Sequence, residues 1–163
     1  MDDQLVIPVD RLVGHTGKER RFDSERPIRA RLGESWISGP MQVQGKLVGT
    51  NDGVNSHYRA SAEAHLVCTR CLTEWVEPLI VEGDQYFRLE LDEDGYGIVD
   101  GSVDVGQPAH DEVALALPAA PRCKPDCLGL CPTCGTDLNR EPCDGHGEDP
   151  DSPFAVLKDL FDS

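Results

Sequence analysis

A chain of 163 residues has room for one ordinary domain and a small appendage. Only 39% of it is hydrophobic and 6% aromatic, while 16 Gly and 12 Pro call for many turns around a modest core. A formal charge of -15 repels phosphate and argues against a general nucleic-acid binder. No apolar run approaches the ~18 residues that a bilayer-spanning helix needs.

The opening MDDQLVIPVD starts acidic and has only a short apolar stretch, so no secretory leader is expected and the chain is read as cytoplasmic. Residues 11–31 then carry seven bases, among them Arg20, Arg21 and Arg29, against three acids. Residues 82–112 invert this, with ten acids against Arg88 alone. Such polarity suits contact with RNA at one end and a basic protein at the other, although a solvated surface explains either stretch taken singly.

Residues 36–90 read as antiparallel strands. WISGPMQVQGKLVGT leads into Asn51-Asp52-Gly53, a hairpin signal, and VNSHYRASAEAHLV alternates small or apolar with polar residues, as a strand with one wet face does. After a corner at Cys68 to Cys71, TEWVEPLIVEGDQYFRLE predicts a further strand interrupted at Pro78, or two short ones. ELDEDGYGIVDG is an acidic loop with little to bury. DEVALAL at residues 111–117 predicts a short helix that opens on acids favourable to its dipole and stops at Pro118. SPFAVLKDLFDS predicts a closing helix, with Ser152 as N-cap, Pro153 at the first position, and Phe154, Leu157, Leu160 and Phe161 along one side.

Between those two helices lie five of the seven cysteines, in a segment too rich in Pro and Gly to build a core of its own. In a reducing compartment clustered cysteines are metal ligands more often than disulfides, and seven cannot all pair within one chain. Cys131-Pro132-Thr133-Cys134-Gly135 has the form of a zinc knuckle, in which two intervening residues let both sulfurs reach one ion. A closed tetrahedral site needs two ligands more. The supply is Cys68, Cys71, Cys123, Cys127, Cys143 and His146, which with the knuckle make eight ligands, enough for two zinc ions.

The preferred partition puts Cys68, Cys71, Cys123 and Cys127 on one zinc and Cys131, Cys134, Cys143 and His146 on the other. A competing partition gives Cys127 to the knuckle with Cys143 and leaves the first site short of a ligand, so one or two Zn2+ per chain are expected. A site with four protein ligands keeps no open position for water, which excludes hydrolytic metal chemistry there. His15, His57, His65 and His110 are scattered, no phosphate-cradling loop is present, and no small-molecule substrate site is visible. The chain reads as a non-enzyme. A thiol redox role for Cys68 and Cys71 is the third reading and predicts a metal-free protein.

The motifs CTRCL at residues 68–72, DEVALALP at 111–118, CLGLCPTCGTDLN at 127–139 and the closing DPDSPFAVLKDL resemble the large ribosomal RNA subunit accumulation protein family, YceD-like. The likeness runs from about Val43 onward. It implies a bacterial or plastid role in accumulation of large-subunit (23S) ribosomal RNA, metal binding, possession of nucleic-acid contacts, and a metal-like pattern that includes Cys68, Cys71, Cys127, Cys131, Cys134 and Cys143. That family often sets its last ligand two residues after the final cysteine, where this chain has Gly145, so His146 would substitute.

The expected fold is α+β: mainly an antiparallel β sheet or a partly open barrel, with short helices and a zinc-stapled, Cys-rich C-terminal segment. The expected organisation is an Arg-rich segment at 1–35, a β domain with its acidic loop at 36–120, the Cys-rich segment at 121–150 and a helix at 151–163. The expected function is a zinc-binding ribosome-assembly factor that touches large-subunit ribosomal RNA or a basic ribosomal protein, with no membrane partner. The alternative is a zinc-stabilised protein adaptor with no RNA contact.

Overall fold

The computed structural model describes residues 5–90, 96–143 and 145–146. Most of them belong to a four-stranded antiparallel sheet in simple sequential order, made by β2 (Glu19–Leu32), β3 (Ser35–Gly49), β4 (Gly53–Val67) and β5 (Glu74–Arg88). A second sheet pairs β1 (Val6–Pro8) with β6 (Ser102–Asp104), and one helix, α1 (Gly106–Leu115), follows. Both sheets are open, so the barrel alternative falls away and the antiparallel reading stands.

The sheet starts earlier than the sequence led us to expect. The Arg-rich stretch is itself β2, paired along its length with β3 and turned at Gly33, whose positive φ of 60° suits a two-residue hairpin loop. β2 alternates inward Phe22, Ser24, Arg26, Ile28 and Ala30 with exposed Arg21, Asp23, Glu25, Pro27 and Arg29. Charges in both registers hide that period in the sequence.

β5 likewise runs unbroken through Pro78, paired with Glu63. Proline lacks the N–H that a central strand must donate on one side or the other, but an edge strand has a free side. Pro78 and Pro27 both lie on edge strands. The third proline of the four-stranded sheet, Pro40 in β3, sits where the register with β4 shifts between Ile37 and Met41. Ile37 faces Ala64 and Met41 faces Ala62, so two extra residues are absorbed and both apolar side chains still point to the same face.

That inner face is covered in three places. At its centre Ala60, Ala62 and Ala64 leave room for α1, whose Ala109 and Val113 are buried there with Leu117, Val43 and Met41. At one end the β1–β6 pair lays Ile7, Val9, Val103 and Val105 on Leu47, Val54 and Phe87. Phe87 is almost fully buried, which by its apolar area contributes roughly 2 to 3 kcal/mol. At the other end the cysteine segment seats Cys127 and Leu130 on Cys68, Cys71 and Trp75.

α1 begins at Gly106, five residues before the expected start, so Asp111 and Glu112 lie mid-helix and no acid occupies the first turn. Gly106-Gln107-Pro108 resembles a breaker, yet first-turn N–H groups have no intrahelical partner and proline costs nothing there. Asp104 supplies the missing acceptor: its Oδ1 takes the Gly106 N–H at 2.9 Å and the Leu5 N–H at 3.2 Å. The expected closing helix, and residues 91–95 of the acidic loop, lie outside the described residues.

Candidate metal centres

The β4–β5 connection is a tight knuckle. Cys68 N–H donates to Thr73 O at 2.9 Å and Leu72 N–H returns to Cys68 O at 3.0 Å, with Leu72 held at a φ of 60° that glycine more usually takes. Cys131 to Thr136 repeats the pattern. There Cys131 N–H donates to Thr136 O at 2.8 Å, Gly135 N–H to Cys131 O at 2.9 Å, and Gly135 has a φ of 75°. In both, a threonine hydroxyl lies against the second cysteine: Thr73 Oγ1 is 3.2 Å from Cys71 Sγ and Thr136 Oγ1 is 3.1 Å from Cys134 Sγ. The sequence signal for this is a repeat, CTRCLT and CPTCGT, which the cysteine spacing alone did not reveal.

Each knuckle is completed by two further side chains. Cys68, Cys71, Cys123 and Cys127 form one group and Cys131, Cys134, Cys143 and His146 the other, with the potential ligand atoms of each group all within 4.8 Å of one another. The structure thus groups the eight residues as in the preferred partition and keeps Cys127 away from the second knuckle. All seven cysteines are free thiols. A tetrahedron with metal–sulfur bonds of about 2.3 Å has edges of about 3.8 Å. The Sγ pairs Cys68–Cys127 and Cys134–Cys143 stand at 3.8 Å, Cys131–Cys143 at 3.7 Å and Cys71–Cys123 at 3.5 Å. His146 Nε2 lies 3.0 Å from Cys143 Sγ. Both groups could therefore hold a metal ion.

Their electrostatics point the same way. Burial alone would raise the Cys68 thiol, but backbone N–H groups of Cys123, Cys71 and Arg70 outweigh it and bring it down to about 6. Cys123 moves oppositely, to about 12, chiefly because its proton is shared with Cys71. In the second group the Thr136 hydroxyl leads in lowering Cys134 to about 6, whereas His146 is raised, first of all by its hydrogen bond with Cys134. Crowded thiols of this kind cannot all ionise unless a cation neutralises them.

The two groups differ in exposure. Cys68, Cys71 and Cys127 are buried, whereas Cys134 and His146 are exposed. The first group also ties distant parts of the chain together. Thr69 N–H donates to Pro121 O at 3.0 Å, Arg70 Nη1 to Cys127 O at 2.7 Å, and Leu130 N–H to Arg70 O at 2.9 Å. Gly129 packs against Arg70 with a φ of +83°. Arg70 is a residue that sequence reasoning passed over, since a charged side chain between two ligands carries no pattern of its own.

The three arginines singled out from the sequence do not share a surface. Arg21 and Arg29 are exposed on the outer face of the sheet, eight positions apart on β2. Arg20 lies in the opposite register, and its Nη1 donates to Pro8 O at 2.8 Å. Near Arg21 the outer face holds Lys46, His57 and Arg59, countered by the ion pairs Lys46–Glu19 at 2.8 Å and Arg59–Glu82 at 3.7 Å and by the His57–Asp84 contact.

A family model described as large ribosomal RNA subunit accumulation protein YceD matches residues 56–161, from the fourth residue of β4 through both cysteine groups. The chain belongs to the YceD family. Among its relatives, an uncharacterised protein of Mycobacterium leprae is 33% identical over 148 residues, which cover 83% of this chain and 67% of that protein. Uncharacterised proteins of Mycobacterium bovis and Mycobacterium tuberculosis are each 48% identical over 102 residues, 58% of this chain and 49% of theirs. The match thus spans about half the length of these latter YceD relatives. No solved structure matches the chain. The family is named for accumulation of large-subunit ribosomal RNA and not for a reaction, and no helix among the described residues is long and apolar enough to cross a membrane.

Proposed function

We propose that this protein is a non-enzymatic, zinc-binding factor in production of the large ribosomal subunit, acting in the cytoplasm. The observation that carries the zinc assignment is the pair of four-membered ligand groups, whose sulfur spacings suit tetrahedral Zn2+ and whose closed coordination leaves no place for substrate. Zinc supplies folding energy at such sites, and Cys68, Cys71, Cys123 and Cys127 would hold one ion while Cys131, Cys134, Cys143 and His146 hold the other. Freshly purified protein, examined by native mass spectrometry with elemental analysis, should carry two zinc ions per chain. A metal-free protein that folds unchanged would overturn the reading.

The family name supports a partner within the large subunit or its RNA. For RNA the contact rests on Arg21 and Arg29, exposed on the outer face of β2, with Arg20 as an internal control because its guanidinium is already engaged by Pro8. Binding to large-subunit RNA should weaken steeply between low and moderate salt. Arg21→Ala with Arg29→Ala should flatten that slope, while Arg20→Ala leaves it. The adaptor reading, a zinc-stabilised protein that binds other proteins with no RNA contact, is favoured instead by the net charge of -15. Absence of RNA binding at low salt decides for the adaptor.

A further inference from the structure

Asn139 lies in the loop between Cys134 and Cys143 and so belongs by sequence to the second ligand group. Its side chain serves the first. Leu128 N–H donates to Asn139 Oδ1 at 3.0 Å, which fixes the carbonyl end of the amide. The amino end is then left to donate, to Cys127 Sγ at 3.4 Å and to Asp137 Oδ1 at 2.8 Å. Asp137 in turn accepts the Asn139 backbone N–H at 3.0 Å, and Leu138 N–H reaches Gly129 O at 3.0 Å. The amide is therefore clamped from both ends and its N–H is aimed at the buried Cys127 sulfur of the neighbouring group.

We propose that Asn139 is a positioning residue for the first centre and the physical link between the two. This rests on the metal reading given above. A centre of four thiolates around a divalent ion keeps two excess negative charges, and N–H donors to sulfur spread that charge and orient the ligand. Because the donor is carried on a loop closed by Cys134 and Cys143, an ion in the second centre holds Asn139 in place for the first. By linkage the effect is mutual: each ion raises the affinity for the other by the same factor.

The test uses the full chain, stripped of metal and titrated with Co2+ against a competing chelator. The absorption envelope separates a four-sulfur site from a three-sulfur, one-nitrogen site, and alkylation mapped by mass spectrometry reports protection of Cys127 and Cys143 separately. Asn139→Ala should lower first-centre affinity by about tenfold or more, the usual effect of removing a partner that supports a ligand. Asn139→Asp is the decisive variant. It keeps the acceptor for Leu128 N–H but has no N–H to give, so it should lose at least as much as alanine, with intact second-centre spectra at saturating Co2+. Because aspartate also faces the Asp137 carboxylate, a role limited to shaping the loop would instead show as a loss at the Cys131 centre. If Asn139→Asp binds like the wild type, or if its loss falls only on the Cys131 centre, this inference fails while the metal reading survives. If the wild-type chain takes up no Co2+, both fail together.

Discussion

On the proposed two-zinc reading, replacement of Cys71 by alanine removes one ligand from the first centre and almost no packing volume, so its cost reports the clasp. Cys71 and Cys123 are 52 positions apart in the chain, and their sulfurs approach to 3.5 Å. Treating the ion as a cross-link, loop-closure entropy for a ring of that size is about 4 kcal/mol. Against the 5 to 15 kcal/mol typical of whole domains this is a large share. At about 2 to 4 °C per kcal/mol for a chain of this length, the sheet should melt roughly 10 °C or more lower. Cys134→Ala breaks the exposed centre, whose ring closes only local chain, and that segment is free to open without the sheet. Its effect on the sheet should be limited to what passes through Asn139, a tenfold affinity change or about 1.4 kcal/mol, which is about 4 °C. Calorimetry of the zinc-loaded variants, with circular dichroism to follow the strands, makes the comparison. A Cys71→Ala protein melting within about 3 °C of the wild type, or a Cys134→Ala protein that loses as much as Cys71→Ala, would refute the reasoning.

Thiol reactivity offers a second check. In the metal-stripped chain at pH 7, Cys134, exposed and lowered to about 6, is mostly thiolate, whereas Cys123, also exposed but raised to about 12, is not. Iodoacetamide should therefore label Cys134 well before Cys123, and zinc should protect both; equal labelling rates would contradict the assignment. The sign for stability follows from the same shift: a thiol lowered from 9.0 to about 6 stabilises the folded metal-free chain in full above pH 9, and that contribution is lost as the pH falls toward 6. Asp104→Ala should cost about 2 to 3 kcal/mol in urea unfolding, because it strips acceptors from Leu5 and Gly106 and leaves the largely buried Arg26, 3.9 Å away, without its carboxylate. A loss under about 0.5 kcal/mol would show that the start of α1 does not depend on it.

The grouping of the eight candidate ligand side chains was legible because pairs three or four positions apart impose themselves on any fold, and β4 was legible because Ala60, Ala62, Ala64 and Leu66 keep a strict period of two. β2 was not, since Arg26 occupies an inward position that hydrophobicity cannot flag. The start of α1 depends on Asp104, which is placed only once β6 has paired with β1. Asn139 and Arg70 belong to the same category: their partners are distant in sequence, and polar side chains carry no period. The threonines of the two knuckles were within reach, as a second-order repeat around the cysteines.

The prolines on β2 and β5 have a consequence for the company this molecule keeps. Each outer strand has its row of donors interrupted, at Pro27 in β2 and at Pro78 in β5, which works against two copies zipping rim to rim into a longer sheet, even though no strand among the described residues covers the 14 and 15 residues of extended chain at the two edges. Whatever binds this protein is thereby directed away from its borders and onto its broad surfaces, where side chains and not the main chain decide what is admitted.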